Sequence, residues 1–215
     1  MCVGEGWVWI GPSACDKKRR EREREIGDVW GVVVGVDGYV LLYSLFAEAL
    51  DLFREALSCY QNGAFLATVL LCGVSLEAAV YKVAAMKNPR ICGGLLSYEI
   101  DQRVMKSSYG VALCTAKCHG FISEELETRI NNVRGWRNYA AHYVQRLNKK
   151  LCREIRIRLK RRKKGEKRKS KEETLVTWVS KEIAAKVLRE TAEILKEIIE
   201  QTLILLKNRS LELPC

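Results

Sequence analysis

From Tyr39 onward, apolar residues recur at intervals of three and four. Leu42, Leu45, Phe46, Ala49, Phe53, Ala56, Leu57 and Tyr60 fall on one stripe of a helix, which predicts a buried face. Asn62-Gly63 breaks the pattern, and so short a break predicts that the next helix runs back antiparallel to the first. That second helix, about residues 64–86, is apolar nearly all round and should be the most buried element; Asn88-Pro89 ends it. Residues 90–122 read as irregular, with Gly93-Gly94 and one short helix near residues 110–118. Ser123 followed by Glu124 and Glu125 marks a helix start, with a capping hydroxyl and carboxylates at the positive end of the dipole. This third long helix should run to about Asn148.

Beyond it the period changes to two. Ile155, Ile157 and Leu159 alternate with Glu154, Arg156, Arg158 and Lys160, and the β-rich TLVTWV follows the tip KKGEKRKSK, so a basic β-hairpin is expected within residues 149–179. Ser180 then caps a last helix over about residues 181–206, leaving 207–215 as a tail. The first 38 residues differ from the rest: a Trp- and Gly-rich opening, a mixed-charge run, then VWGVVVGVDG, in which VVVGV could form a stray strand. They read as an N-terminal extension of a mainly all-α domain over residues 39–206, an antiparallel bundle of four to five helices with the hairpin inserted between the last two.

Charge sharpens this picture. Between Lys149 and Lys171 stand fourteen Lys or Arg against Glu154 and Glu166, a net +12 in a chain whose total is +11. The basicity belongs to one segment, and Arg156, Arg158, Arg161, Arg162, Lys163 and Lys164 are its candidate contacts to an RNA backbone. A solvated loop is the plainer reading of such a run. Nine Cys show no repeating spacing, and the charged run follows a short, Gly-rich start instead of opening a secretory signal, so a cytoplasmic chain with reduced thiols is expected. No membrane span is expected either: Asp37 interrupts residues 29–47, and the run 63–76 is short and ends at Glu77. Cys114, Cys118 and His119 have ligand chemistry, with Cys92 upstream, but no second cluster completes a tetrahedral set, so no metal is assigned. No P-loop or Rossmann glycine fingerprint occurs, and no cofactor is expected.

The candidate chemistry lies in Arg134 to Tyr143, RGWRNYAAHY. On a helix Asn138 and His142 share a face and Arg134 extends that stripe, while Arg137 stands about 140° round from His142. Guanidinium holds phosphate oxygens bidentately and imidazole moves protons near neutrality, which are the needs of phosphodiester chemistry. The alternative is that Tyr139, Ala140 and Tyr143 pack, leaving Asn138 and His142 to solvent. Glu77, on the most apolar helix, is costly without a partner, and Arg134 and Arg137 are the candidates; the alternative is that Glu77 lies at an exposed edge.

The run RNYAAHY, preceded by ISEELETRINNVRGW, resembles the Arg, four-to-six residues, His signature of the HEPN superfamily. GVSLEAAVYKVAA resembles the family's second helix, with its Glu in an apolar run, and VSKEIAAKVLRETAEILKEI its closing helix. The resemblance spans about residues 39–206. It implies a helical bundle that forms a homodimer with two motifs meeting at the interface, and a metal-independent endoribonuclease, as in toxin or defence nucleases. By the resemblance Arg137 would hold the scissile phosphate, Asn138 would orient it and His142 would transfer protons, with Glu77, Arg134 and Tyr143 in support. The products would be a 2′,3′-cyclic phosphate and a 5′-OH. Similar domains also include non-catalytic nucleotide- or nucleic-acid-binding modules. Toxin members paired with a nucleotidyltransferase antitoxin often carry a Tyr two residues after the His, where this chain has Val144.

Overall fold

The computed structural model describes residues 14–36, 39–92, 95–142 and 179–212. Within them run α1 (Ala14–Ile26), α2 (Val29–Val34), α3 (Tyr39–Gln61), α4 (Phe65–Ala85), β1 (Met86–Cys92), β2 (Leu95–Ile100), α5 (Gln102–Met105), α6 (Tyr109–Cys118), α7 (residues 124–142) and α8 (Lys181–Glu212). The chain is mostly helical, as its periodicity predicts, and carries one small antiparallel sheet.

The α3 and α4 hairpin is the base of the core. Every residue of the predicted α3 stripe is buried. Gly63, with φ of 80°, turns the chain, while the amides of Gly63 and Ala64 close the last turn of α3 on the carbonyls of Tyr60 and Cys59. The antiparallel return is visible in cross-helix pairs: the rings of Tyr60 and Phe65 lie 5.5 Å apart beside the turn, and farther from it Ser75 Oγ donates to the Ala49 carbonyl at 2.7 Å. By length and composition α4 is apolar enough to cross a membrane, yet half of that window is buried inside the protein. It packs against α3, α6 and α8, and its Cys72 thiol is pushed up to about 12 by burial.

Two elements differ from the sequence reading. VVVGV contributes to a helix, α2, instead of a strand. Asp28 caps it by accepting from the Gly31 amide at 2.8 Å, and Val29 and Val33, four apart, face inward. The strand preference of valine is a weak prior that burial against α8 overrides. Residues 14–36 accordingly pack onto the bundle: Trp30 stacks on Phe53 with centroids 6.3 Å apart, Arg22 Nε donates to the Gln61 carbonyl at 2.7 Å, and Lys181 reaches Glu25 at 2.6 Å.

The second difference is a β-hairpin over residues 86–100, in a region read as irregular up to its short helix. Its register runs from Met86 opposite Ile100 to Cys92 opposite Leu95, with an irregularity between Lys87 and Arg90. There Asn88 takes φ of 47° and Pro89 has no amide to donate, the local features of a bulge. Lys87 closes the open end on Asp101 at 2.6 Å, and the hydrogen bond from Lys87 holds that carboxyl below the usual range. The expected short helix is α6. The closing helix continues past Leu206 to Glu212. The expected basic hairpin within 149–179 lies outside the described residues.

The packing of α2 gives the first prediction. Val33 is fully buried while Val40 is 88% exposed. Val33→Ala should lower stability by about 1–2 kcal/mol, from two lost methyl groups and the space they leave, whereas Val40→Ala should stay within about 0.5 kcal/mol. Urea unfolding midpoints of the two variants check this.

Candidate functional site

Helix α7 begins where Ser123 accepts from the Leu126 amide at 3.1 Å, the expected cap. Leu126, Ile130, Val133 and Ala140 bury its inner face. Arg129 fastens its first half to α8, with Nε 2.6 Å from Glu190 and Nη1 2.7 Å from Glu197. Burial opposes the charge on Arg129, and the two carboxylates outweigh it, so its pKa is raised.

The second half of α7 meets α4 at a glycine. A Cβ added to Gly73 would stand 2.5 Å from both Cβ and Cγ of Arg137, so the stem of the motif arginine occupies the space that a side chain would take. One turn further along α4, Glu77 accepts from Arg137 Nη2 at 3.2 Å. Arg137 Nη1 donates to Asn138 Oδ1 at 2.9 Å. The guanidinium is thus fixed on two sides, and the side chains of Arg137 and Glu77 remain 31% and 21% exposed. Of the two arginines offered as partners for Glu77, the structure pairs Arg137.

Arg134 has a different neighbour. Its guanidinium lies over the ring of Tyr109 on α6, 4.7 Å from the centroid, and its Nε is buried with no hydrogen-bond partner among the described residues. The Tyr109 hydroxyl is likewise buried without one. Burial raises the Tyr109 pKa and the Glu77 carboxylate adds to the effect, against the pull of Arg134. Tyr81 meets Tyr109 edge-on at 6.1 Å and donates its hydroxyl to the Ser107 carbonyl at 2.9 Å. Glu77, Tyr109, Arg134, Arg137 and Asn138 therefore form one partly buried polar cluster between α4, α6 and α7.

His142 stands apart from this cluster. It is exposed at the end of the described part of α7, and among the described residues no hydrogen bond or ion pair joins it to Arg137, Asn138 or Glu77. The helical period accounts for the separation, because five residues place the two side chains about 140° apart. A swing of Arg137 toward His142, which its length allows, is not the conformation seen: the guanidinium turns to α4. Tyr143 and the basic residues Arg156, Arg158, Arg161, Arg162, Lys163 and Lys164 lie outside the described residues. Cys114 and Cys118 are exposed on α6, and the ring of His119 packs edge-on against Phe121 at 6.3 Å.

The outer face of α7 holds a feature that the sequence reading missed. Asn131, Asn132, Gly135, Trp136 and Tyr139 line a groove of about 590 Å³ with Ile183 of α8. Trp136 and Tyr139 meet edge-to-face, with centroids 6.4 Å apart and planes at 84°. Trp136 and Tyr139 were legible as aromatic residues on the motif helix, but the groove depends on where α8 begins. Gly73 was also missed, although an isolated glycine in a helical run, one turn before a lone carboxylate, is a signal of close packing.

Comparison with protein-family models, curated proteins and solved structures finds no match to this chain.

Two glycines make the helix contact testable by opposite signs. Gly73→Ala should overpack the crossing and cost about 1–3 kcal/mol, exceeding the ~1 kcal/mol that Ala gains over Gly inside a helix. At Gly135 an added Cβ meets nothing within 4 Å among the described residues, so Gly135→Ala should stabilise, by up to about 1 kcal/mol. Thermal and urea unfolding of both variants measures the two signs.

Proposed function

We propose that this chain is a metal-independent endoribonuclease of the HEPN type, acting as a homodimer in which two copies of α7 combine their motifs. The observation that carries the reading is the held arginine: Arg137 is fixed by Glu77 and Asn138, with His142 exposed further along the same helix. Positioned cations and a titratable imidazole are the parts that phosphoryl chemistry requires. The Arg-x4-His spacing, the mostly helical fold and the +12 segment that follows the motif helix support it.

In this reading RNA binds with the scissile phosphate at Arg137. The 2′-oxygen attacks the adjacent phosphorus, the P–O5′ bond breaks, and the products end in a 2′,3′-cyclic phosphate and a 5′-hydroxyl. One His142 accepts the 2′-hydroxyl proton, and the second copy's His142 delivers a proton to the leaving 5′-oxygen. The dimer supplies what one chain lacks, since Arg137 faces α4 and His142 faces solvent. That same separation favours one alternative, a non-catalytic module that binds nucleotide or nucleic acid.

Two predictions follow the two parts of the proposal. Light scattering of the purified full chain at micromolar concentration should give about twice its 24.5 kDa; a strict monomer removes the composite site. In cleavage assays with excess EDTA, the wild type should produce cyclic-phosphate ends. His142→Ala should lower the rate on the order of a hundredfold or more, and Arg137→Lys should also fail because a point charge does not replace a bidentate fork. Tight RNA binding by the wild type with no cleavage across an RNA panel would establish the binding module instead.

A further inference from the structure

The groove on the outer face of α7 is not used by the chemistry proposed above. Its walls differ from an ordinary helix surface. Trp136 and Tyr139 remain 39% and 42% exposed, and the edge-to-face arrangement sets the two rings at 84°. Perpendicular rings form a corner, with one face as a platform and the other ring as a side wall. At Gly135, among the described residues, nothing lies within 4 Å of an added Cβ. Asn131 and Asn132, both exposed, bring side-chain amides that donate and accept at the rim. A volume of about 590 Å³ is within the range of sites for small planar ligands.

We propose that this groove is a nucleobase subsite, in which one unpaired base of RNA stacks on Trp136 while the amides of Asn131 and Asn132 meet its edge. The inference deepens the ribonuclease reading and rests on it for the identity of the polymer. Charge favours a polyanion over an apolar protein partner: the +12 segment of residues 149–171 stands in the sequence between α7 and α8, the two helices whose residues line the groove. On α7 Tyr139 stands about 160° round from Arg137, which faces α4, so a base held in the groove would belong to a different nucleotide from the one whose phosphate meets Arg137. A base already paired in a duplex cannot enter, so the subsite selects single-stranded RNA.

The test uses the full chain carrying His142→Ala, so that RNA is not consumed, with a fluorescently labelled 12-nucleotide RNA, single-stranded or annealed to its complement. Adding Trp136→Ala should weaken single-strand binding roughly tenfold or more, the scale of one lost base stack, and leave duplex binding unchanged. Trp136→Phe should retain most of the affinity, because a smaller ring still stacks. Equal loss on both RNAs, or no loss on either, overturns the proposal. Light scattering is the second arm: if Trp136→Ala turns a dimer into a monomer, the groove is a contact between copies, and the proposal falls. The two readings fail separately. Cleavage by the otherwise wild-type chain with no Trp136 effect leaves the nuclease without the subsite, and a single-strand-specific Trp136 effect without cleavage leaves the subsite without the nuclease.

Discussion

The contact on which the site depends is the meeting of Gly73 and Arg137. Because Gly73 has no side chain, α7 approaches α4 closely enough for the aliphatic stem of Arg137 to rest where a Cβ would be, 2.5 Å from that position. The guanidinium then reaches Glu77, which lies on the same face of α4 one turn later. A carboxylate on the most apolar helix of the chain would otherwise be an unpaired charge, and an arginine packed by its stem against that helix would be another. Pairing them contributes little net stability, since desolvation offsets most of the Coulomb attraction. What it contributes is position: the crossing point, the rotation of α7 and the direction of the guanidinium are fixed together.

That rotation divides α7 into two sides. Arg129, held by Glu190 and Glu197 of α8, and Arg137, held by Glu77 of α4, tie the helix to two different neighbours. With both inward directions taken, Asn138 lies on the shoulder, while His142, Trp136 and Tyr139 face outward. Rotating α7 cannot bring His142 toward Arg137, because both ride on the same helix about 140° apart; only a swing of the Arg137 side chain could, and it would break the ion pair with Glu77. The fold thus resists convergence inside a single copy, which is the physical reason for invoking a second copy in the proposed chemistry.

Much of this was legible in the sequence wherever a single period dominated. The α3 stripe, the capping hydroxyls of Ser123 and Ser180, and the burial of α4 all appear where the spacing placed them. The 140° separation of Arg137 and His142 was likewise implicit in the helical period. Residues 86–100 were harder. Asn88-Pro89 reads as a simple helix stop, and it conceals a strand whose bulge accommodates both residues. The inward positions Leu96, Tyr98 and Ile100 alternate after Gly93-Gly94, a hairpin signal too short to stand out beside the helices. In α2, local valine preference pointed to a strand, and only the tertiary surfaces of α3 and α8 decide otherwise. Tyr109 beneath Arg134 has no sequence signature at all, because it depends on how α6 lies against α7.

Glu77 also limits what Arg137 can do for an anion. Before a phosphate arrives, the carboxylate already offsets much of the guanidinium charge, and Asn138 Oδ1 occupies a further donor. Arg137 is therefore well placed but weak as a long-range attractor, since a paired charge presents little net field beyond its partner. Under the proposed function, attraction must come from elsewhere, and the segment of residues 149–171 carries more than the whole net charge of the chain. Binding and chemistry would then reside in different parts of the sequence: diffuse cations gather the polyanion, and a pre-set arginine meets one phosphate at close range. A phosphate that displaces Glu77 from part of the fork leaves that carboxylate partly unpaired. The exchange is tolerable only because Glu77 is 21% exposed and water can take up the released lone pairs. Under the proposed function, partial burial of the pair would be a compromise, dry enough to hold the guanidinium in place and wet enough to let it change partners.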